Sequence, residues 1–136
     1  SDFIRLYALT FARQNIQISS TKIAYIENLL LHLLNSGIAK MFSAIDQNSY
    51  VCSSVVIISD PLCDYYLFGA CDPEYRSYGL STFLLLESLK ASFERGKKYF
   101  DMVGINSPNR GDFKTSFNAV PVPFLSMKIS NSHANS

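Results

Sequence analysis

Four consecutive branched aliphatic residues, Val55-Val56-Ile57-Ile58, lie in an uncharged run from Tyr50 to Ser59 that Pro61 breaks soon after. Successive side chains of a strand point to opposite faces, so this run is apolar on both faces. It belongs in the middle of a sheet, and its neighbours in sequence supply the flanking strands. From Ile38 the pattern has period two, with Ala39, Met41, Ser43 and Ile45 alternating with Lys40, Phe42, Ala44 and Asp46. Asp46-Gln47-Asn48-Ser49 reads as a turn, and Asp64 to Ala70 (DYYLFGA) as a third strand. The three form an antiparallel meander.

Upstream the period is helical. Phe3, Leu6, Tyr7, Thr10 and Phe11 follow i, i+3, i+4 spacing, with Asp2 as the expected N-cap. Ser19-Ser20 then caps a second helix with Ile23, Ile26, Leu30, Leu33 and Leu34 on one face, and Gly37 ends it. His32 has no second ligand-like residue near it and reads as a packed or surface histidine.

Downstream, Asp72 to Gly79 is a loop into a long helix from about Leu80 to Arg95. Leu80, Phe83, Leu84, Leu85 and Leu86 make the first half of that helix apolar nearly all round, which predicts burial. Gly96 ends it, and 98–103 (KYFDMV) is a fourth strand. A helical crossover joins it to the third strand, so the two should run parallel. One or two helical turns over Asp112–Asn118 and an edge strand over Pro121–Ile129 come next. The order α-α-β-β-β-α-β-(α)-β describes an α+β domain: a mixed, mostly antiparallel sheet flanked by helices, with one splayed parallel pair. Residues 1–129 form a single domain on this reading, and 130–136 a flexible tail.

A chain of 136 residues is enough for one such core. Its net charge of +1 predicts no strong general attraction to nucleic acid or to an anionic membrane. No apolar stretch is long enough to span a bilayer, and no signal peptide is visible. Cys52, Cys63 and Cys71 lack metal-type spacing and sit in or beside apolar runs, so they read as buried free thiols in a cytoplasmic, reducing compartment. No metal is expected. The missing initiator Met, with a helical pattern starting at once, points to a piece of a longer polypeptide.

The chemistry concentrates at Arg76-Ser77-Tyr78-Gly79-Leu80-Ser81. Backbone N–H groups at a helix start can hold a pyrophosphate, helped by the positive end of the helix dipole. Gly79 permits close approach, and Arg76 adds a charge-assisted contact. The segment resembles the Arg-x-x-Gly-x-Gly/Ala turn with which GNAT acyltransferases hold coenzyme A, with Ser81 at the final small position. Val103-x-x-Asn106 is similar to the strand-end asparagine that many of those enzymes place beside the cofactor. The finer resemblance is to the C-terminal lobe of FemAB-like and BioF2-like transferases. It rests on Tyr65-Tyr66, Gly69, Asp72-Pro73-Glu74-Tyr75-Arg76, Glu94-Arg95-Gly96, Tyr99-Phe100-Asp101 and Phe113-Lys114-x-x-Phe117, over roughly residues 64–118.

That resemblance implies an N-acyltransferase moving an acyl group from acetyl-CoA or another acyl-CoA, or an aminoacyl group from aminoacyl-tRNA, to an amine. Small molecules, peptidoglycan precursors or envelope sugars are the acceptors it implies. Lys114 would stabilise charge developing on the donor carbonyl. Phe113 and Phe117 would shape the pocket, and Asp101, Tyr65 or Tyr66 would handle the amine proton. FemAB-like proteins carry two such lobes and this chain has one, so a second lobe or a homodimer would complete the substrate site. The rival expectations are a non-catalytic lobe that binds a substrate or partner, and a small α+β sensor or scaffold domain of unrelated fold.

Overall fold

The computed structural model describes residues 1–103 and Val120. The chain divides at Val103/Gly104, and every described helix and strand belongs to the first unit, Ser1–Val103. The expected helix over Asp112–Asn118, the edge strand over Pro121–Ile129 and the polar tail lie outside the described residues, as do Asn106, Phe113, Lys114 and Phe117.

Two helices open the unit: α1 (Asp2–Arg13) and α2 (Ser20–Asn35). Ser19 caps α2 as expected, its side chain accepting from the Lys22 N–H at 3.2 Å. The α1 cap differs from expectation. Ser1 accepts from the Ile4 N–H at 3.4 Å, and Asp2 is the first helical residue, where a carboxylate complements the helix dipole. His32 is exposed on α2, in keeping with the surface reading.

The sheet has the order β1-β2-β3-β4, formed by Ala39–Ile45, Val51–Ser59, Cys63–Cys71 and Tyr99–Asp101. β1, β2 and β3 pair antiparallel, and β4 joins β3 in parallel after α3 (Leu80–Glu94) crosses over. β2 is the central strand its composition demands: Cys52 through Ile57 are all buried. Val56 and Ala70 pack under α1 and α2 with Phe3, Leu6, Ile26, Leu30 and Ala39. Full burial of side chains such as Phe3 and Leu6 is worth roughly 1.5–3 kcal/mol each.

α3 lies against β1, β2 and β3. Its first half is not buried all round, as the sequence suggested. Leu84 and Leu85 are buried at 2% and 1% exposure, while Phe83 and Leu86 stand about half exposed at 53% and 51%. A helix laid on one sheet buries a stripe, and residues on the far side of that stripe stay open whatever their polarity. No described helix is long and apolar enough to cross a membrane.

Candidate active site

β3 departs from a regular sheet beside the candidate site. Its register against β2 shifts between Val56 and Ile57, where Val56 faces Phe68 but Ile57 faces Tyr66, leaving Leu67 as an extra residue. Such a bulge bends the strand and re-aims side chains. β4 pairs with β3 only over Cys63–Tyr65, whereas β3 runs on to Cys71. The β4-facing edge of residues 66–71 is therefore unpaired among the described residues. Among those residues its backbone donors and acceptors have no strand partner and could meet a ligand.

Beyond Cys71 the chain enters a 3₁₀ turn, Pro73–Tyr78, where the sequence suggested an open loop. Asp72 caps it, accepting from the Glu74 N–H at 3.0 Å. Pro73 supplies a fixed φ for the first turn position, which explains the local winding. Gly79 follows in the left-handed region at φ 68°, and a Cβ there would meet nothing within 4 Å. It is the N-cap of α3, and no side chain caps that helix. No acidic residue lies in its first turn. Arg76, Ser77 and Tyr78 are exposed on the preceding turn, with Leu80 and Ser81 half-buried in the helix start. The expected pyrophosphate segment thus presents free N–H donors, a favourable dipole, an exposed guanidinium and open space at the glycine.

The proton-handling candidates are divided by the sheet. Tyr65 and Asp101 are register partners in the parallel pair and share the α1–α2 face. The Tyr65 hydroxyl donates to Asp60 Oδ2 at 2.7 Å, and that bond raises its pKa above the ordinary phenol value. Asp101 accepts from the Val103 N–H at 2.7 Å and so anchors the end of the strand. Tyr66 lies on the α3 face, opposite Ile57, and burial pushes its pKa up to about 12. At neutral pH its hydroxyl stays protonated and can donate a hydrogen bond.

Two sets of long-range polar contacts that no local pattern predicts also tie this part of the fold together. Arg5, on α1, reaches Tyr50 and the Val51 carbonyl, and Tyr50 reaches Asp72. Asp64, fully buried on β3, is paired with Arg95 just past α3. Asp72 and Arg95 stand within the motifs read from the sequence, but their partners are remote in the chain and carry no local signal. A hollow of about 190 Å³ lined by Leu89, Ser92, Phe93, Lys97, Tyr99 and Phe100 lies toward the other end of α3. At 1.5 Å rise per residue it is on the order of 15–20 Å from Gly79 along the helix, so it is not part of the donor cradle.

Residues 1–115 match the family model described as an acetyltransferase (GNAT) domain. The chain belongs to the GNAT acetyltransferase family. Membership makes it a GNAT-type N-acyltransferase, and acetyl-CoA is the donor that GNAT acetyltransferases use. Solved structures share its fold at low identity. A predicted acetyltransferase with acetyl-CoA from Clostridium acetobutylicum superposes with TM-score 0.71 at 12% identity, over 92% of this chain and 86% of the other. Ribosomal-protein-alanine N-acetyltransferase from Brucella melitensis gives 0.65 at 18% identity, over 96% and 91%. Aminoglycoside 6'-N-acetyltransferase AAC(6')-Ih from Acinetobacter baumannii gives 0.68 at 10%, over 96% and 90%. No curated protein matches the chain. In this GNAT domain the β3 edge over 66–71, unpaired among the described residues, and the uncapped α3 start adjoin through the Pro73–Tyr78 turn.

Proposed function

We propose that this GNAT domain transfers an acetyl group from acetyl-CoA to the amine of a small molecule, holding the donor pyrophosphate with the segment Arg76–Ser81. The observation that carries this reading is the uncapped start of α3 behind a left-handed Gly79. Its N–H groups and dipole suit an anion, and Arg76 adds the cationic contact. Ser81 takes the place of a smaller residue in the family pattern and is half-buried.

The donor supplies a thioester: the amine nitrogen forms an amide bond to the acyl carbon as the carbon–sulfur bond breaks. Backbone N–H groups on the edge of 66–71, unpaired among the described residues, suit an acyl oxygen that gains negative charge. The Tyr66 hydroxyl, held protonated, suits a hydrogen bond to the departing sulfur. Asp101 has acceptor capacity left beside its bond to Val103 and is the carboxylate proposed to take the amine proton. Lys114 is proposed as the electrophilic side chain, with Phe113 and Phe117 lining the acceptor pocket and Asn106 beside the donor. These four roles rest on the motif resemblance. An aminoacyl-tRNA donor and a peptidoglycan-precursor acceptor rest on it too, and the near-neutral charge weighs against tRNA.

A thermal-shift titration with acetyl-CoA and desulfo-CoA tests the donor. Saturable stabilisation is expected, reaching about 2.7 kcal/mol at a hundredfold excess over Kd. No shift at millimolar ligand would sink the acyl-CoA reading. Lys114→Ala should then abolish turnover while preserving that shift.

A further inference from the structure

The Pro73–Tyr78 turn that leads to Gly79 is held by side chains from distant parts of the fold. Its cap, Asp72, is only 7% exposed. The Asp72 N–H donates to the Cys52 carbonyl at 2.8 Å, and its own carbonyl accepts from the Tyr75 N–H at 2.9 Å. Oδ1 caps Glu74, and Oδ2 accepts from the Tyr50 hydroxyl at 2.5 Å. Arg5 Nη1 donates to that same hydroxyl oxygen at 2.5 Å and stands 3.8 Å from Asp72 Oδ2. Arg5 Nη2 donates to the Val51 carbonyl at 2.7 Å, and the guanidinium carbon lies 4.3 Å from the Tyr50 ring centre.

A second connection runs beside the first. The Tyr75 hydroxyl donates to Asp46 Oδ2 at 3.1 Å, and the Tyr50, Tyr75 and Tyr78 rings follow one another at 5.9 and 5.8 Å. The row ends at Tyr78, immediately before Gly79. The first helix, the β1–β2 turn and the start of β2 therefore all converge on the six-residue turn that aims the N–H groups of α3.

We propose that Arg5, Tyr50 and Asp72 form a positioning relay for the donor site: α1 sets the orientation of the Pro73–Tyr78 turn through Asp72, and so sets the affinity for the donor pyrophosphate. The inference rests on the acetyl-CoA reading of the site. None of the three need touch the donor. Each acts through the next, and phosphate is met by the backbone at Gly79 and the α3 start and by the Arg76 side chain. A fixed turn presents its donors at no ordering cost, whereas a loosened one must be ordered by the ligand at the expense of affinity.

Calorimetric titration of the whole chain with acetyl-CoA tests the relay. Asp72→Ala should raise Kd about tenfold or more, the equivalent of one lost charge-assisted hydrogen bond. Asp72→Asn, which keeps one acceptor oxygen for the Glu74 N–H but turns an NH2 toward Tyr50, should recover part of that loss. Tyr50→Phe leaves the Glu74 cap intact and should raise Kd severalfold, so it carries the test if Asp72→Ala does not fold. Leu30→Ala, on the buried face of α2, lowers melting temperature without touching the relay and should leave Kd unchanged. Unchanged affinity in Tyr50→Phe, or equal weakening in Leu30→Ala, would overturn the relay while the donor reading stands. No binding by the unaltered protein would instead overturn the donor reading, and the relay with it.

Discussion

The Tyr66 hydroxyl occupies the place where a side chain on residue 69 would begin: a Cβ built on Gly69 would collide with it. Three residues apart on a regular strand, the two would lie on opposite faces. The bulge cancels one step of that alternation. Tyr66 faces Ile57 and Gly69 faces Val55, and those partners share a face of β2. Glycine is needed here for space, with its backbone in an ordinary conformation.

Gly69→Ala should therefore displace the Tyr66 ring and cost about 1–3 kcal/mol, as overpacking does. Tyr66→Leu shortens the side chain that collides. In a double-mutant cycle read by urea denaturation, the pair should be less destabilised than the sum of the single changes. Strict additivity would show that the two residues do not compete for that space.

Asp64 and Arg95 make a second, independent prediction. The Asp64 carboxylate is fully buried, pairs with Arg95 and accepts from the Ser59 hydroxyl at 2.6 Å. Arg95→Ala strands a buried charge and should cost about 3–5 kcal/mol. Replacing both members by apolar residues should cost markedly less. A double variant as unstable as Arg95→Ala would contradict the account.

At high pH the tyrosines set the direction of the stability curve. Burial holds Tyr66 near 12, and the bond to Asp46 holds Tyr75 near 12, against 10.0 in the unfolded chain. Between those values the unfolded chain releases protons that the folded one keeps, so stability falls as pH rises. Melting temperature should decline from about pH 10 upward, and less steeply in Tyr66→Phe.

Acid works through the carboxylates. Tyr50 lowers the pKa of Asp72 by hydrogen bonding, the Tyr50 N–H lowers that of Asp46, and the Tyr65 hydroxyl that of Asp60. Their contribution is present above the unfolded value of 3.8 and is lost as pH falls below it through the lower folded values. Stability should hold steady down to about pH 4–5 and drop beneath. A melting temperature that falls already between about pH 7 and 5 would exclude these three as the cause.

The elements can be read along the chain because their signals are local. Helical spacing marks α1 and α2, alternation marks β1, and a doubly apolar run marks β2 as central. The segment from Arg76 to Ser81 is recognisable for the same reason: a charged residue, a glycine and a helix start lie within one short stretch. Phe83 and Leu86 depart from the expected burial because composition does not say how much of a helix its neighbours cover.

The order of helices and strands through β4, the parallel crossover into β4 and the helix start behind Gly79 are all written in the chain itself. Each comes from spacing and capping within a few residues. Nothing local foretells that β3 bulges at Leu67, that Tyr66 sits over Gly69, that Asp64 takes Arg95 or that Arg5 reaches Asp72 through Tyr50. Those pairings come from the packed fold, and the difference is one of range. A pleat or a cap is fixed by neighbours along the chain, whereas which distant charge or ring meets which is set by how the whole sheet packs and twists.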